Sequence, residues 1–244
     1  MDTSKLCRKK QSAFTLTEMA VVLVILSLLL GGLLIPLSTQ QDAKAAAETQ
    51  TTLDEVRASL LGFAMSNGYF PCAAKSATDG TEDRNTTTGA CNTSRGFVPW
   101  VSLSIAKADA WGRLLRYAVT PEFANSANKF TSSTTRRITI KSRDINNNLV
   151  SLSNANDIPV VIFSQGKNGY LATLESGEKL PDCSNGECPN GNGDEDANDA
   201  GNTDAGNAIF IQRQISASTA SSGAFDDILV WIAPNALFYR MDSR

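Results

Sequence analysis

Residues 19–37 carry no charged side chain and are dominated by Val, Leu and Ile, whereas the sequence beyond them turns polar and rich in Ser, Thr, Asn and Asp. An uncharged run of roughly twenty residues has the length of a membrane-crossing helix. Gly31, Gly32 and Pro36 fall within it and weaken helical order there, as a kink or as a segment that loosens. Over residues 38–66 the pattern changes. Leu53, Val56, Leu60 and Phe63 recur at helical spacing with Asp54, Glu55 and Arg57 between them, so one face is apolar and built to cover a sheet. Asn67-Gly68 and Pro71 stop that helix. Unbroken from Phe14 to Met65 it would be about 78 Å long at 1.5 Å per residue. Short β-branched and aromatic runs follow at residues 115–120, 138–141, 158–163, 208–212 and 228–232, each bounded by Asn, Gly, Ser or Pro. The pattern predicts an α+β fold, a long N-terminal helix packed on an antiparallel sheet. Its segments are a basic stretch (1–13), an apolar helical half (14–37), an amphipathic half (38–66) and a β-rich domain (67–244) with a low-complexity loop at 181–206.

Charge gives this pattern a direction. Lys5, Arg8, Lys9 and Lys10 stand immediately before the apolar run, which places the N-terminus in the cytoplasm with the remainder exported. The run is longer than the apolar core of an ordinary secretory signal and is not followed by its small-residue cleavage site. The whole chain has a formal charge of -3, and removing the basic stretch leaves a more acidic body. An acidic surface argues against nucleic acid as the main partner, because phosphate contacts need basic groups. The 244 residues contain no histidine, which removes the commonest general base, the usual triad and most zinc sites. No paired carboxylates, phosphate loop or nucleophile elbow are read at recognisable spacing, so the sequence reads as a non-enzyme.

The junction is the most specific stretch: Ser12-Ala13-Phe14-Thr15-Leu16-Thr17-Glu18, then Met19-Ala20-Val21-Val22. It resembles the cleavage signal of type IV pilins and of the pseudopilins of type II secretion, where a basic leader ends in a small residue before Phe-Thr-Leu-x-Glu. The resemblance covers residues 5–36. It implies cutting between Ala13 and Phe14 by a prepilin peptidase and methylation of the new Phe14 amine. It also implies that Glu18 pairs with that amine on a neighbouring subunit during assembly. The family usually has Gly where this chain has Ala13. Read on its own, Glu18 is equally an acid in the first turn of a helix, where the dipole favours negative charge.

Five cysteines divide as Cys7 before the apolar run and Cys72, Cys91, Cys183 and Cys188 beyond it. An even number suits disulfides in an oxidising compartment. Four cysteines allow three pairings, and proximity in sequence favours Cys72 with Cys91 and Cys183 with Cys188. Asp109-Ala110-Trp111-Gly112 and Ser164-Gln165-Gly166 resemble two turns of major pseudopilins; on their own they read as an Asp-initiated turn with Trp111 filling the core. In the late loop Asn192, Asp194, Asp196, Asn198 and Asp199 alternate as oxygen donors and are calcium candidates. The EF-hand pattern fails there, since Asp199 stands where the turning Gly is needed. A flexible acidic loop without metal is the other reading, and no other cofactor is expected. Arg137, Thr139, Lys141 and Arg143 alternate with Ile138 and Ile140, a solvated strand face or a contact for an acidic neighbour or DNA.

Together these features lead to a structural subunit, a minor pilin or pseudopilin. Its partners would be copies of itself or other pilin-like subunits, the prepilin peptidase and an inner-membrane assembly platform. The expected location is a single-pass inner-membrane protein that later enters a periplasmic or cell-surface filament. A membrane-anchored periplasmic enzyme or ligand-binding protein with an uncleaved leader is the competing reading.

Overall fold

The computed structural model describes residues 15–180, 193–200, 202–204, 207–216, 220 and 223–242, with the backbone alone at 30–38, 200, 202–204 and 242. The chain divides into two compact units, Met1–Lys44 and Ala45–Arg244. A 52-residue helix, α1 (Leu16–Asn67), begins in the first and ends in the second. Its end is the one the sequence signals. The Asn67 side chain bonds back to the Phe63 carbonyl, and Gly68 adopts a left-handed φ of 79° while its N–H bonds the Ala64 carbonyl at 2.7 Å. That conformation is favourable only without a Cβ.

In the second unit the strands are β1 (Arg95–Phe97), β2 (Arg116–Val119), β3 (Ile138–Arg143), β4 (Leu149–Ser151), β5 (Val160–Ser164), β6 (Asn202–Asp204), β7 (Asn207–Ile211) and β8 (Ile228–Ile232). The helices after α1 are α2 (Trp100–Leu103), α3 (Gly193–Ala200) and α4 (Pro234–Asp242). Among the described residues two four-stranded sheets form, ordered β1-β2-β5-β8 and β4-β3-β7-β6. The first is wholly antiparallel. In the second, β3 and β7 run parallel, a departure from the expected antiparallel sheet.

The sheet that contains β5 is the middle layer. Val160 and Ile162 of β5, with Tyr117, Val119, Val230 and Ile232, face Leu53, Val56, Leu60 and Ala64 of α1. Val161 and Phe163, with Ala118 and Leu229, face Ile138, Ile140 and Phe210 of the second sheet. Every residue of β5 is buried, which explains why its sequence is a continuous apolar run rather than an alternation. Leu53, Val56 and Leu60 are at most 1% exposed, as the stripe predicts.

The segment between α1 and β1 is closed by a disulfide, Cys72–Cys91, which agrees with the pairing favoured by proximity. Arg84 sits at its centre and donates to the carbonyls of Phe70, Gly89 and Ala124 while pairing with Glu82 at 2.8 Å. The buried Tyr117 hydroxyl donates to the Pro71 carbonyl. Cys7, Cys183 and Cys188 lie outside the described residues.

Candidate functional site

At the start of α1, Thr15 and Glu18 satisfy each other. The Thr15 hydroxyl accepts the Glu18 N–H at 3.2 Å, and the Glu18 carboxylate accepts the Thr15 N–H at 2.8 Å and its hydroxyl at 2.8 Å. This is a capping box, in which the residue before the first helical turn and the third residue of the helix fill each other's orphan groups. The bond from the Thr15 backbone, then that from its hydroxyl, holds the Glu18 carboxyl below the usual carboxylate range. The cleavage residues Ala13 and Phe14 lie just ahead, outside the described residues.

Behind the cap the helix is apolar on every side. Leu16, Met19, Val21, Val22, Leu23, Val24, Ile25, Leu26, Leu28 and Leu29 are all about half exposed or more. An amphipathic helix confines such residues to one stripe, whereas a helix apolar all round is made to be covered on all sides. This stretch nevertheless corrects one expectation. No helix among the described residues is long and apolar enough to cross a membrane. The described apolar side chains from Met19 to Leu29 extend about 16 Å at 1.5 Å per residue, against a hydrocarbon core of about 30 Å. The expected transmembrane helix, and the single-pass inner-membrane placement built on it, are overturned.

The two short turns picked out in the sequence are joined in the fold. Asp109 is buried; one of its oxygens accepts the N–H groups of Trp111 and Arg113, both at 2.9 Å, and the other accepts the Ser164 hydroxyl at 2.6 Å. Ser164 in turn accepts the Gly166 N–H, and the buried Thr49 of α1 accepts the Ala110 N–H. Burial raises the Asp109 pKa, and the bonds from Ser164, Arg113 and Trp111 oppose that rise. Trp111 itself is half-buried and stands outside both core clusters, so the turn is held by Asp109 rather than by the indole.

Part of the late acidic loop is α3, an eight-residue helix. It separates the calcium candidates. Asp194 accepts a forked pair of bonds from Arg143 and a further one from Arg213, each at 2.7 Å. Asn198 is buried, exchanging bonds with the Ile211 backbone and donating to Asp227. Asp199 pairs with Arg116 at 2.9 Å, Asp196 is exposed, and Asn192 lies outside the described residues. The face of β3 expected to be solvated is partly committed as well. Thr139 is buried, Arg143 holds Asp194 and Arg137 holds Glu122.

Among the described residues, one group brings three potential metal-ligating side chains together: Glu195, Asp226 and Asp227, with carboxylate oxygens within 4.8 Å of one another. Glu195 accepts the Asp226 N–H and the Asn168 amide, and Asp226 accepts the Asn168 N–H at 2.7 Å. The other Asp226 oxygen is buried without a hydrogen-bond partner. Burial, helped by the Glu195 charge, pushes Asp226 up to about 6 against the bond from Asn168. Burial and the same neighbour push Asp227 well above the usual range. Asp226-Asp227 escaped the sequence reading; its signal is two adjacent acids at the mouth of an apolar strand.

A family profile described as "Prokaryotic N-terminal methylation motif" matches residues 8–34. The match spans the junction, the capping box and the exposed apolar turns, so the chain carries an N-terminal motif typical of type IV pilin-like proteins. No curated protein and no solved structure matches the chain. The fold is the pilin-like α+β arrangement of a long N-terminal helix on an antiparallel sheet, with a disulfide, and motif and fold together fit a structural subunit.

Proposed function

We propose that this chain is a filament subunit of the minor pilin or pseudopilin kind, serving a type IV pilus or a type II secretion filament. A prepilin peptidase cuts between Ala13 and Phe14, the Phe14 amine is methylated, and α1 packs among the helices of like subunits. The observation that carries this reading is the apolar, all-round exposed beginning of α1, inside the methylation motif and with Glu18 as its one carboxylate. Such a surface is stable only when covered, and helices of neighbouring copies supply a cover of the same chemistry. A carboxylate enclosed in that bundle is costly unless a cation meets it, and the new Phe14 amine of the next copy is that cation.

Glu18 then has two successive partners, Thr15 within the chain and an amine between chains. Glu18→Gln separates them, because the amide oxygen still accepts from Thr15 but carries no charge. The variant should keep the helix content of wild type by circular dichroism and lose most of its incorporation into filaments. Mass spectrometry of wild type should find a methylated Phe14 at the N-terminus. An intact Met1, or normal incorporation of Glu18→Gln, would remove the proposal.

A further inference from the structure

Within the second unit, α1 borders a surface groove of about 490 Å³, whose walls include Gln50, Arg57 and Leu61 of α1, Trp231 of β8 and Arg240 of α4. β8 is the outermost strand of its sheet and, among the described residues, pairs with β5 alone, so the groove runs along a sheet edge. On the outward side of the same helix, Glu48 and Glu55 are exposed, seven residues and about two turns apart. Thr51, Ala58 and Gly62 lie between and beside them, also exposed, and a Cβ added at Gly62 would meet nothing within 4 Å.

We propose that the outward face of α1 in one copy seats in this groove of the next copy, with Glu55 and Glu48 against Arg57 and Arg240. The inference rests on the assembly reading above and deepens it by naming the two surfaces that meet. Charge selects the occupant. The chain is acidic overall, and this groove sets two arginines on its walls, so the acidic ridge of another copy complements it. Size agrees, since the small residues around the two glutamates allow the close approach that helix packing at 8–10 Å requires. Arg57 bonds Asp54 within its own chain, but both side chains are 44% exposed, and an exposed pair of this kind is worth little. Arg57 is therefore able to turn to an incoming carboxylate. The ridge and the groove are different surfaces of one chain, so the contact is head-to-tail. Contacts of that class build open-ended helical polymers, whereas a two-fold dimer needs one patch that complements itself.

The test is charge reversal in the full-length protein. Glu55→Arg and Arg240→Glu should each lower the yield of sedimentable filaments at least tenfold, and the chain carrying both should recover most of it. Melting temperatures of the unassembled variants should match wild type; if Arg240→Glu melts early, Arg57→Glu takes its place. Single variants that polymerise normally, or a double variant as poor as either single with unchanged melting, would overturn the proposal while leaving the assembly reading intact. A correctly processed wild type that forms no filament would overturn both.

Discussion

Glu195, Asp226 and Asp227 crowd their carboxylates together, and burial favours the protonated forms of Asp226 and Asp227. Asp226 has an ordinary value of 3.8 and stands at about 6 in the fold. An acid whose folded value is raised binds its proton more tightly in the native state than in the unfolded chain. Its contribution is therefore complete below pH 3.8 and is lost as pH rises through 6. Glu122 and Asp144, held below their ordinary values by hydrogen bonds, act in the opposite sense and only at the acid end. The protein should thus melt at a higher temperature at pH 5 than at pH 7.5. Asp226→Asn should flatten that slope and gain up to about 3 kcal/mol at pH 7.5. Thermal melts of both proteins at the two pH values decide it, and an unchanged slope in the variant would clear Asp226 of the effect. At this scale the sequence is half legible. Thr15 and Glu18 stand at the capping-box spacing in plain view, whereas the meeting of Glu195 with Asp226 depends on two segments 31 residues apart.

Among the elements, the disulfide has the most readily measured effect. Cys72 and Cys91 are 19 residues apart, and on the chain-entropy model a loop of that length is worth about 3 kcal/mol. Replacing both cysteines by serine should lower stability by that order in denaturant melts, with Arg84 and Tyr117 still holding the segment and limiting the loss. Strands buried on both faces were legible because nothing competes with their apolar pattern: residues 228–232 coincide with β8, and residues 158–163 overlap β5. The short strands β1, β4 and β6 offer three residues each and no usable period. α3 was hidden for a different reason. Asn, Asp and Gly are poor helix formers, and what fastens this helix is Arg143 of β3, Arg116 of β2 and Arg213 just after β7. The parallel pairing of β3 with β7 is equally silent in the sequence, since no local turn sets its register.

For the molecule as a whole, assembly and folding make separate demands. The apolar start of α1 belongs to the first unit, while both core clusters lie in the second. A charge placed on that apolar surface should therefore act on assembly alone. Val24→Glu, at a residue 59% exposed, should leave the cooperative melting of the β-rich body within about 0.5 kcal/mol of wild type and sharply reduce filament yield. Scanning calorimetry beside sedimentation reads both; a large loss of body stability would mean that the units are energetically coupled.

β5 lies in the middle of its sheet, with β2 on one side and β8 on the other, and among the described residues β8 is the last strand in chain order. Until residues 228–232 have been synthesised, the wholly buried strand β5 keeps one side unpaired. A growing or clipped chain therefore offers that side to whatever strand arrives first, and proteases and chaperones meet it before the fold is sealed.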